Sequence, residues 1–99
     1  MDIKHKTDGQ RGFFYIEDMN KVMAELVYSL RHENVMRIEH TEVDDALKGK
    51  NTGKQLVNKA IEFARINQYK IVPRCPFARA IMEKRKEELK DVLIDNYSD

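Results

Sequence analysis

The chain has 99 residues, 41% hydrophobic and 35% charged, which is enough for one domain with one modest core. Lys and Arg (18) nearly balance Asp and Glu (17), so bulk charge argues against binding to nucleic acid or to an anionic membrane. One cysteine excludes an internal disulfide, and three scattered histidines form no ligand pattern, so we predict no metal site. The polar N-terminus and the lack of a membrane-length apolar run indicate a cytoplasmic protein.

The first half of the chain predicts three antiparallel strands joined by short turns. Residues Gly12–Asp18 are aromatic and β-branched, as strand residues often are. Apolar and polar residues then alternate through Lys21–His32 and again through Val35–Val43, which indicates two half-buried strands. The segments DMN and HEN between these runs have turn composition. The three strands together predict an antiparallel meander.

The pattern after Val43 predicts a strand–helix–strand unit. Apolar residues fall on one side of a helix over Gly53–Asn67, and a short apolar strand follows over Tyr69–Cys75. A crossover of this size makes the two flanking strands parallel and the connection right-handed. Pro73 cannot donate a ladder hydrogen bond, so we expect its strand to be at an edge or to diverge from its neighbour. Pro76 suits the first position of a second helix.

These elements predict one α/β (α+β) domain over residues 1–99. Its sheet would be mixed and mainly antiparallel, with one crossover helix and a second helix after the last strand. Parallel strands bring their carboxyl ends to one edge of the sheet, where ligands of α/β proteins usually bind. The loop after Val43 and the only thiol, Cys75, should therefore lie close together.

The sequence LKGKNTGKQL (47–56) places glycine and lysine immediately before the helix. The first turn of a helix presents unpaired N–H groups and the positive end of the helix dipole, and glycine allows an anion to approach them closely. Spacing alone leaves two interpretations open, a phosphate site or a solvated, lysine-rich helix entry. The loop is not a Walker loop, because no Gly-Lys-Ser/Thr sequence closes it.

The segment EVDDALKGKNTGKQLVNKAIEFA resembles the signature of the GNAT superfamily of acetyl-CoA-dependent acetyltransferases, V-x-P-x-x-R/Q-G-x-G-x-G/A before an amphipathic helix. Four positions match this motif: Val43, Lys48, Gly49 and Gly53. Asn51 replaces the central glycine, and Asp45 stands where proline is usual. The segments IEHTEV, GKQLV and PRCPFA are similar to a group of very small, stand-alone GNAT-like proteins. The resemblance covers about Phe14 to Ile81.

The resemblance implies an N-acetyltransferase that moves an acetyl group from acetyl-CoA to an amine, either a small molecule or a protein lysine. It implies that loop N–H groups bind the coenzyme A pyrophosphate and that the pantetheine arm lies between the two parallel strands, with main-chain bonds to the strand end. The implied cofactor-binding residues are Val43, Lys48, Gly49, Lys50, Asn51, Thr52, Gly53, Lys54, Gln55 and Phe77. The oligomeric state stays open from sequence, although the partner subunit of a homodimer could supply a missing wall of the acceptor site.

Three residues are candidates for the chemistry. Cys75 precedes Pro76 as a candidate N-cap, where the helix dipole favours the thiolate. The resemblance implies that this thiol accepts the acetyl group, whereas free cysteines are more often buried and inert. The alternation Met36, Ile38, His40 predicts that His40 shares their face, either as a core histidine or as a base that reaches Cys75. Glu42 is the alternative base.

Other interpretations remain open from sequence. The family's later motif A-x-x-I/L-Y-E-K places its general-acid tyrosine at Met82, which cannot donate a proton, so that scheme does not apply. Transfer can be direct or through Cys75. The chain also lacks the helical segment with which larger relatives build an acceptor pocket, which suggests a non-catalytic acyl-CoA sensor as an alternative. A protein-interaction domain is a third interpretation.

Overall fold

In a computed structural model, residues 2–94 are described, and they form a five-stranded sheet with two helices. The strands are β1 (Lys4–Asp8), β2 (Arg11–Asp18), β3 (Lys21–His32), β4 (Val35–Val43) and β5 (Lys70–Pro73). A 3-10 turn (Asp45–Leu47) precedes helix α1 (Thr52–Asn67), and helix α2 (Pro76–Lys84) follows β5. The predicted domain also includes residue 1 and residues 95–99, which lie outside the described residues.

The sheet order is β1-β2-β3-β4-β5, with antiparallel neighbours except for the parallel pair β4–β5. This confirms the predicted fold class: a mixed, mainly antiparallel sheet with one crossover helix and a second helix. Strand β1 was not predicted, because its sequence KHKTD is polar and shows no apolar alternation. None of the helices in residues 2–94 is long and apolar enough to cross a membrane.

Both helices pack on the same side of the sheet, which we call the inner face. Its side chains form one buried cluster with those of the helices: Phe14, Ile16, Leu26, Tyr28, Met36 and Ile38 from the strands, Leu56, Ala60 and Ile61 from α1, and Ala78 and Met82 from α2. The opposite, outer face carries long charged and polar side chains, beneath which Val27 and Ser29 are buried. This burial confirms the helix predicted from the apolar stripe of α1 and the half-buried strand predicted from the alternation in β3.

A β-bulge in β4 changes the face on which its later side chains lie. Tyr28 pairs with Ile38, but the preceding residue of β3, Val27, pairs with His40, so Glu39 is an extra residue in the ladder. Cross-strand partners share a face, and therefore His40 lies on the outer face beside Val27. The prediction that His40 shares the face of Ile38 is wrong, because strict alternation ends at the bulge.

Strand β5 separates from β4 after Pro73, as that proline predicted. The last ladder pair is Ile38 with Pro73, and the N–H groups of Arg74 and Cys75 both donate to the Ile38 carbonyl at 3.0 Å. From Glu39 onward, β4 has no partner strand on this side among residues 2–94. A V-shaped gap therefore opens between the carboxyl ends of the two strands.

The chain after α2 docks against β5 and α1. The Ile71 N–H donates to the Val92 carbonyl at 2.6 Å, and Leu89 and Val92 are buried, so this segment docks through its apolar residues. Arg65 holds this segment with two bonds to the Asp91 carboxylate, at 2.9 and 3.1 Å. These bonds raise the pKa of Arg65 and lower that of Asp91. The outer edge of β5 is therefore covered.

An aromatic cluster attaches β1 to the sheet. The ring of His5 stacks on Phe14 with centroids 4.2 Å apart, and its Nε2 lies 2.7 Å from the hydroxyl of the fully buried Tyr28. Burial raises the pKa of Tyr28 to about 12, and partial burial of the imidazole lowers the pKa of His5. The Tyr28 ring fits only because Gly12 faces it: a Cβ at Gly12 would lie 2.0 Å from the ring. A charged His5 would be poorly accommodated in this stack.

We expect mild acid to weaken the fold through His5. Its folded-state pKa lies below the ordinary 6.5, so the unfolded chain binds the proton more readily, and stability falls as the pH drops below that value. Urea unfolding at about pH 7.5 and at about pH 5.5 gives the decrease in the free energy of unfolding between the two pH values. This decrease should be larger for the wild type than for His5→Gln, because glutamine can form a hydrogen bond with Tyr28 but does not titrate. Equal losses in the two proteins would contradict this role.

Candidate active site

The loop between β4 and α1 is held by its own hydrogen bonds. The Asp44 carboxylate caps the 3-10 turn by accepting from the Ala46 N–H at 2.9 Å, and this bond, with Lys21 nearby, lowers the pKa of Asp44. The Thr52 hydroxyl, buried at the start of α1, donates to the Leu47 carbonyl at 3.4 Å. These contacts fix the direction in which α1 begins.

Asn51 occupies the position where the GNAT motif has its central glycine. Its φ of 59° and ψ of 21° are left-handed, a conformation that glycine adopts freely and that asparagine tolerates. Its side chain makes no capping bond, so it does not occupy the first-turn N–H groups of α1. Gly49, with a φ of 84°, supplies the second left-handed residue of the loop. The replacement of the central glycine by Asn51 therefore leaves the backbone conformation of the loop compatible with the motif.

A cleft of about 510 Å³ opens in front of these amides on the inner face. Eight of the ten predicted cofactor-binding residues line it: Val43, Lys48, Gly49, Asn51, Thr52, Gly53, Lys54 and Phe77. The other lining residues are Thr41 and Leu47. Two predicted residues lie elsewhere: Lys50 is an exposed loop residue, and Gln55 lines a neighbouring hollow with Asp2 and Asn58.

Phe77 and Gly53 bring the starts of the two helices into contact. A Cβ at Gly53 would lie 2.5 Å from Cζ of Phe77, so this helix start requires glycine for close approach. Phe77 is 44% exposed, and the exposed side of the residue forms part of the cleft wall. Phe77 therefore links the loop to the segment that carries Cys75.

Cys75 lies at the N-terminus of α2, as predicted, and is buried. Its thiol donates a weak hydrogen bond to the Thr41 hydroxyl, with Sγ 3.6 Å from Oγ1. Because Thr41 lines the cleft, the sulfur lies one side chain behind the cleft wall. The sequence pattern did not single out Thr41, because strict alternation placed it on the outer face and the bulge returns it to the inner face.

His40 and Glu42 lie on the outer face, away from the thiol. His40 Nε2 is 3.1 Å from Glu42 Oε1, and Glu25 completes a group whose polar atoms all lie within 4.8 Å of one another. The structure therefore does not bring His40 and Cys75 together, and the prediction that they reach each other is wrong. The carboxylate oxygens and the imidazole nitrogen of this group can bind a cation or accept hydrogen bonds from a protonated amine.

Met82, at the position of the family's tyrosine, is fully buried in the core. Its packing explains why an apolar side chain stands there. A proton donor for the leaving sulfur does not come from this position of α2.

The sequence profile of the GCN5-related N-acetyl-transferase family matches residues 13–92. The chain belongs to this family. No curated protein sequence matches the chain at a significant level. The match to the family profile confirms the predicted relationship, and with it the assignment of the chain as an N-acetyltransferase by family.

Solved structures share the fold. A GCN5-like protein from Staphylococcus aureus, proposed to be an N-acetyltransferase, is 32% identical, with a TM-score of 0.70 over 96% of this chain and 91% of its own. The ribosomal-protein-alanine N-acetyltransferase of Brucella melitensis is 16% identical, with a TM-score of 0.64 over 93% of this chain and 68% of its own.

A larger solved structure contains the same fold in part of its length. The ribosomal-protein-S18-alanine N-acetyltransferase of Escherichia coli is 14% identical, with a TM-score of 0.63 over 82% of this chain. The match covers 54% of that enzyme, so this chain spans about half its length. At this identity the likeness concerns the fold alone.

We expect Gly53→Ala to destabilise the protein by about 1–3 kcal/mol, because the new methyl group would displace the Phe77 ring. In a Phe77→Ala background most of this cost should disappear, which a double-mutant cycle of urea unfolding would measure. Gly49→Ala is the matched control: its Cβ meets nothing within 4 Å, so its cost comes from the positive φ and should not depend on Phe77. Additive effects of Gly53→Ala and Phe77→Ala would contradict the contact.

Proposed function

We propose that this protein binds acetyl-CoA in the inner-face cleft and transfers the acetyl group to an amine that arrives from the outer face. The observation that carries the proposal is the left-handed turn at Asn51, which leaves the first amides of α1 open to a cleft lined by Lys48 and Lys54. Backbone N–H groups, a helix dipole and two ammonium groups together favour a pyrophosphate.

The gap between β4 and β5 suits the pantetheine arm. The Asp44 N–H donates to the Met23 carbonyl of β3 at 2.8 Å, so the backbone groups of the preceding residue, Val43, point toward the gap. Peptide-like amides of pantetheine would complete the ladder that β5 leaves unfinished after Pro73. This arrangement directs the acyl end of the cofactor toward Thr41 and Cys75.

Two routes for the acetyl group fit these positions. In the covalent route, the Cys75 sulfur attacks the acetyl carbonyl carbon, the bond to the coenzyme A sulfur breaks, and the thiol proton leaves with coenzyme A. The amine then attacks the acetylated cysteine and restores the thiol. In the direct route, the amine attacks acetyl-CoA itself. In both routes the bound ammonium first loses a proton, whose acceptance we assign to His40 or Glu42 on the outer face, and the amine loses a second proton to the leaving sulfur as the amide forms.

Intact mass spectrometry after incubation with acetyl-CoA tests the covalent route. We expect one added acetyl group in the wild type, its loss on addition of an amine such as a lysine peptide, and no adduct in Cys75→Ala. Turnover in Cys75→Ala at the wild-type rate would show that transfer is direct. Tight binding of acetyl-CoA with neither an adduct nor turnover would support the alternative, a non-catalytic acyl-CoA sensor.

Substitution of Asn51 tests the loop. We expect Asn51→Gly to retain coenzyme A affinity, because glycine adopts the same left-handed conformation. Asn51→Val should weaken binding by about five- to thirtyfold, which corresponds to roughly 1–2 kcal/mol for a bulky residue at positive φ. Isothermal titration with coenzyme A measures both, and equal affinity of the two variants would argue against the loop as the pyrophosphate site.

The identity of the amine, a homodimer that completes the acceptor site and a cytoplasmic location stay predictions. So does the expectation that nucleic acid is not a partner. The near balance of charge, +1 overall, supports that expectation.

A further inference from the structure

The outer face carries a hollow next to the group of Glu25, His40 and Glu42. It has a volume of about 460 Å³ and a floor formed by the buried residues Val27 and Ser29. Three arginines surround it: Arg11 from β2, Arg31 from β3 and Arg37 from β4. Glu25 and His40 also line it, so the hollow extends to the acidic group.

The hollow is lined by fewer carboxylates than arginines, so the negative charge in it does not neutralise the positive charge. Glu39 accepts from the Ser29 hydroxyl at 2.6 Å and lies 3.8 Å from Arg37 Nε, so it is already engaged. Neither Arg11 nor Arg31 forms an ion pair with a residue that the structure describes, although the Arg11 guanidinium lies 5.3 Å from the centre of the Phe13 ring. Two cationic groups are therefore available to an anion in this hollow.

The two ends of the hollow differ in charge and are separated along β3. Arg11 and Arg37 both pair with Ser29, whereas Glu25 lies four residues earlier in the same strand and pairs with Glu42. Four strand residues span about 13 Å. A ligand that contacts both ends must therefore carry a cationic and an anionic group at roughly this separation, which is too far apart for a single amino acid.

We propose that the acceptor is a peptide amine with a carboxylate side chain about four residues away, bound along the outer face. This inference rests on the proposed function. The amine would lie at Glu25, His40 and Glu42, beside the gap that leads to the acetyl group, and the carboxylate would lie between Arg11 and Arg31. Guanidinium groups bind carboxylates with paired hydrogen bonds, which makes the arginine end selective for an acidic peptide.

Three pentapeptides with free N-termini and amidated C-termini test the proposal. Ala-Ala-Ala-Ala-Glu has the predicted spacing, Ala-Ala-Ala-Ala-Gln lacks the charge, and Ala-Glu-Ala-Ala-Ala has the charge at the wrong distance. We expect the first peptide to bind and to be acetylated with kcat/KM about tenfold above the other two, as expected for one charge-assisted contact. The double variant Arg11→Gln, Arg31→Gln should lose this preference.

Two control variants accompany the experiment. Lys59→Gln removes one charge from an exposed position on α1 and should keep the preference. Arg31→Lys in the Arg11→Gln background should restore part of it, and thermal unfolding shows whether each variant is folded. Equal binding and turnover of the three peptides by the wild type would overturn the inference and leave the proposed function intact.

The remaining outcomes separate the two proposals. Preferential binding of the first peptide without any acetylation would overturn the proposed chemistry and support the peptide site. Binding of a single-stranded oligonucleotide through Arg11 and Arg31, with no affinity for the acidic peptide, would overturn the inference.

Discussion

The extra residue Glu39 in β4 is the constraint on which the site depends. Without it, Thr41 and Val43 would face outward and His40 would face the core, because a strand alternates its side chains strictly. With it, β4 presents a hydroxyl to the cleft and a histidine–carboxylate pair to the opposite side. One inserted residue thus separates the cofactor side of the strand from the acceptor side.

Two close contacts through glycine hold the domain together, and the one at Gly53 shapes the cleft. Phe77 packs over Gly53 and connects the two helix starts, and Tyr28 packs over Gly12 and connects β3 to β2 in the core. Left-handed residues at Gly49 and Asn51 turn the loop so that the first amides of α1 face the space between β4 and Phe77. The anion site is therefore a product of backbone geometry, and the lysines around it add charge to a position that the backbone has already fixed.

The sequence predicted those parts of the fold in which the order of apolar and polar residues, or a proline, reflects the local backbone conformation. The period of α1, the alternation in β3 and the special backbones of Pro73 and Pro76 each have a local cause, and each is confirmed. Strand β1 lacks such a pattern, because it pairs through its backbone at the sheet edge and contributes mainly His5 to the core-facing stack. The bulge is equally invisible, because no residue in IEHTEV is specific to an extra ladder position.

The same difference between local patterns and strand pairing explains which site predictions were right and which were wrong. The loop residues were predicted from the resemblance to the GNAT signature, together with the local effects of glycine and lysine, whereas the relation of His40 to Cys75 depended on strand register over several residues. Thr41 was missed and His40 was assigned to the wrong face for one reason, the unpredicted bulge. Arg11 and Arg31 come together only through pairing of β2 with β3, which the alternation of either strand alone does not specify.

The central claim, that coenzyme A lies on the inner face between the α1 amides and the β4–β5 gap, is tested most directly by a coenzyme A titration of nitrogen-15-labelled protein. The account predicts that the largest amide shifts occur at Gly49 to Lys54, at Thr41 and Val43, and at Phe77. Shifts concentrated instead at outer-face positions such as Arg11 and Arg31, with the amides of residues 49–54 unchanged, would contradict it.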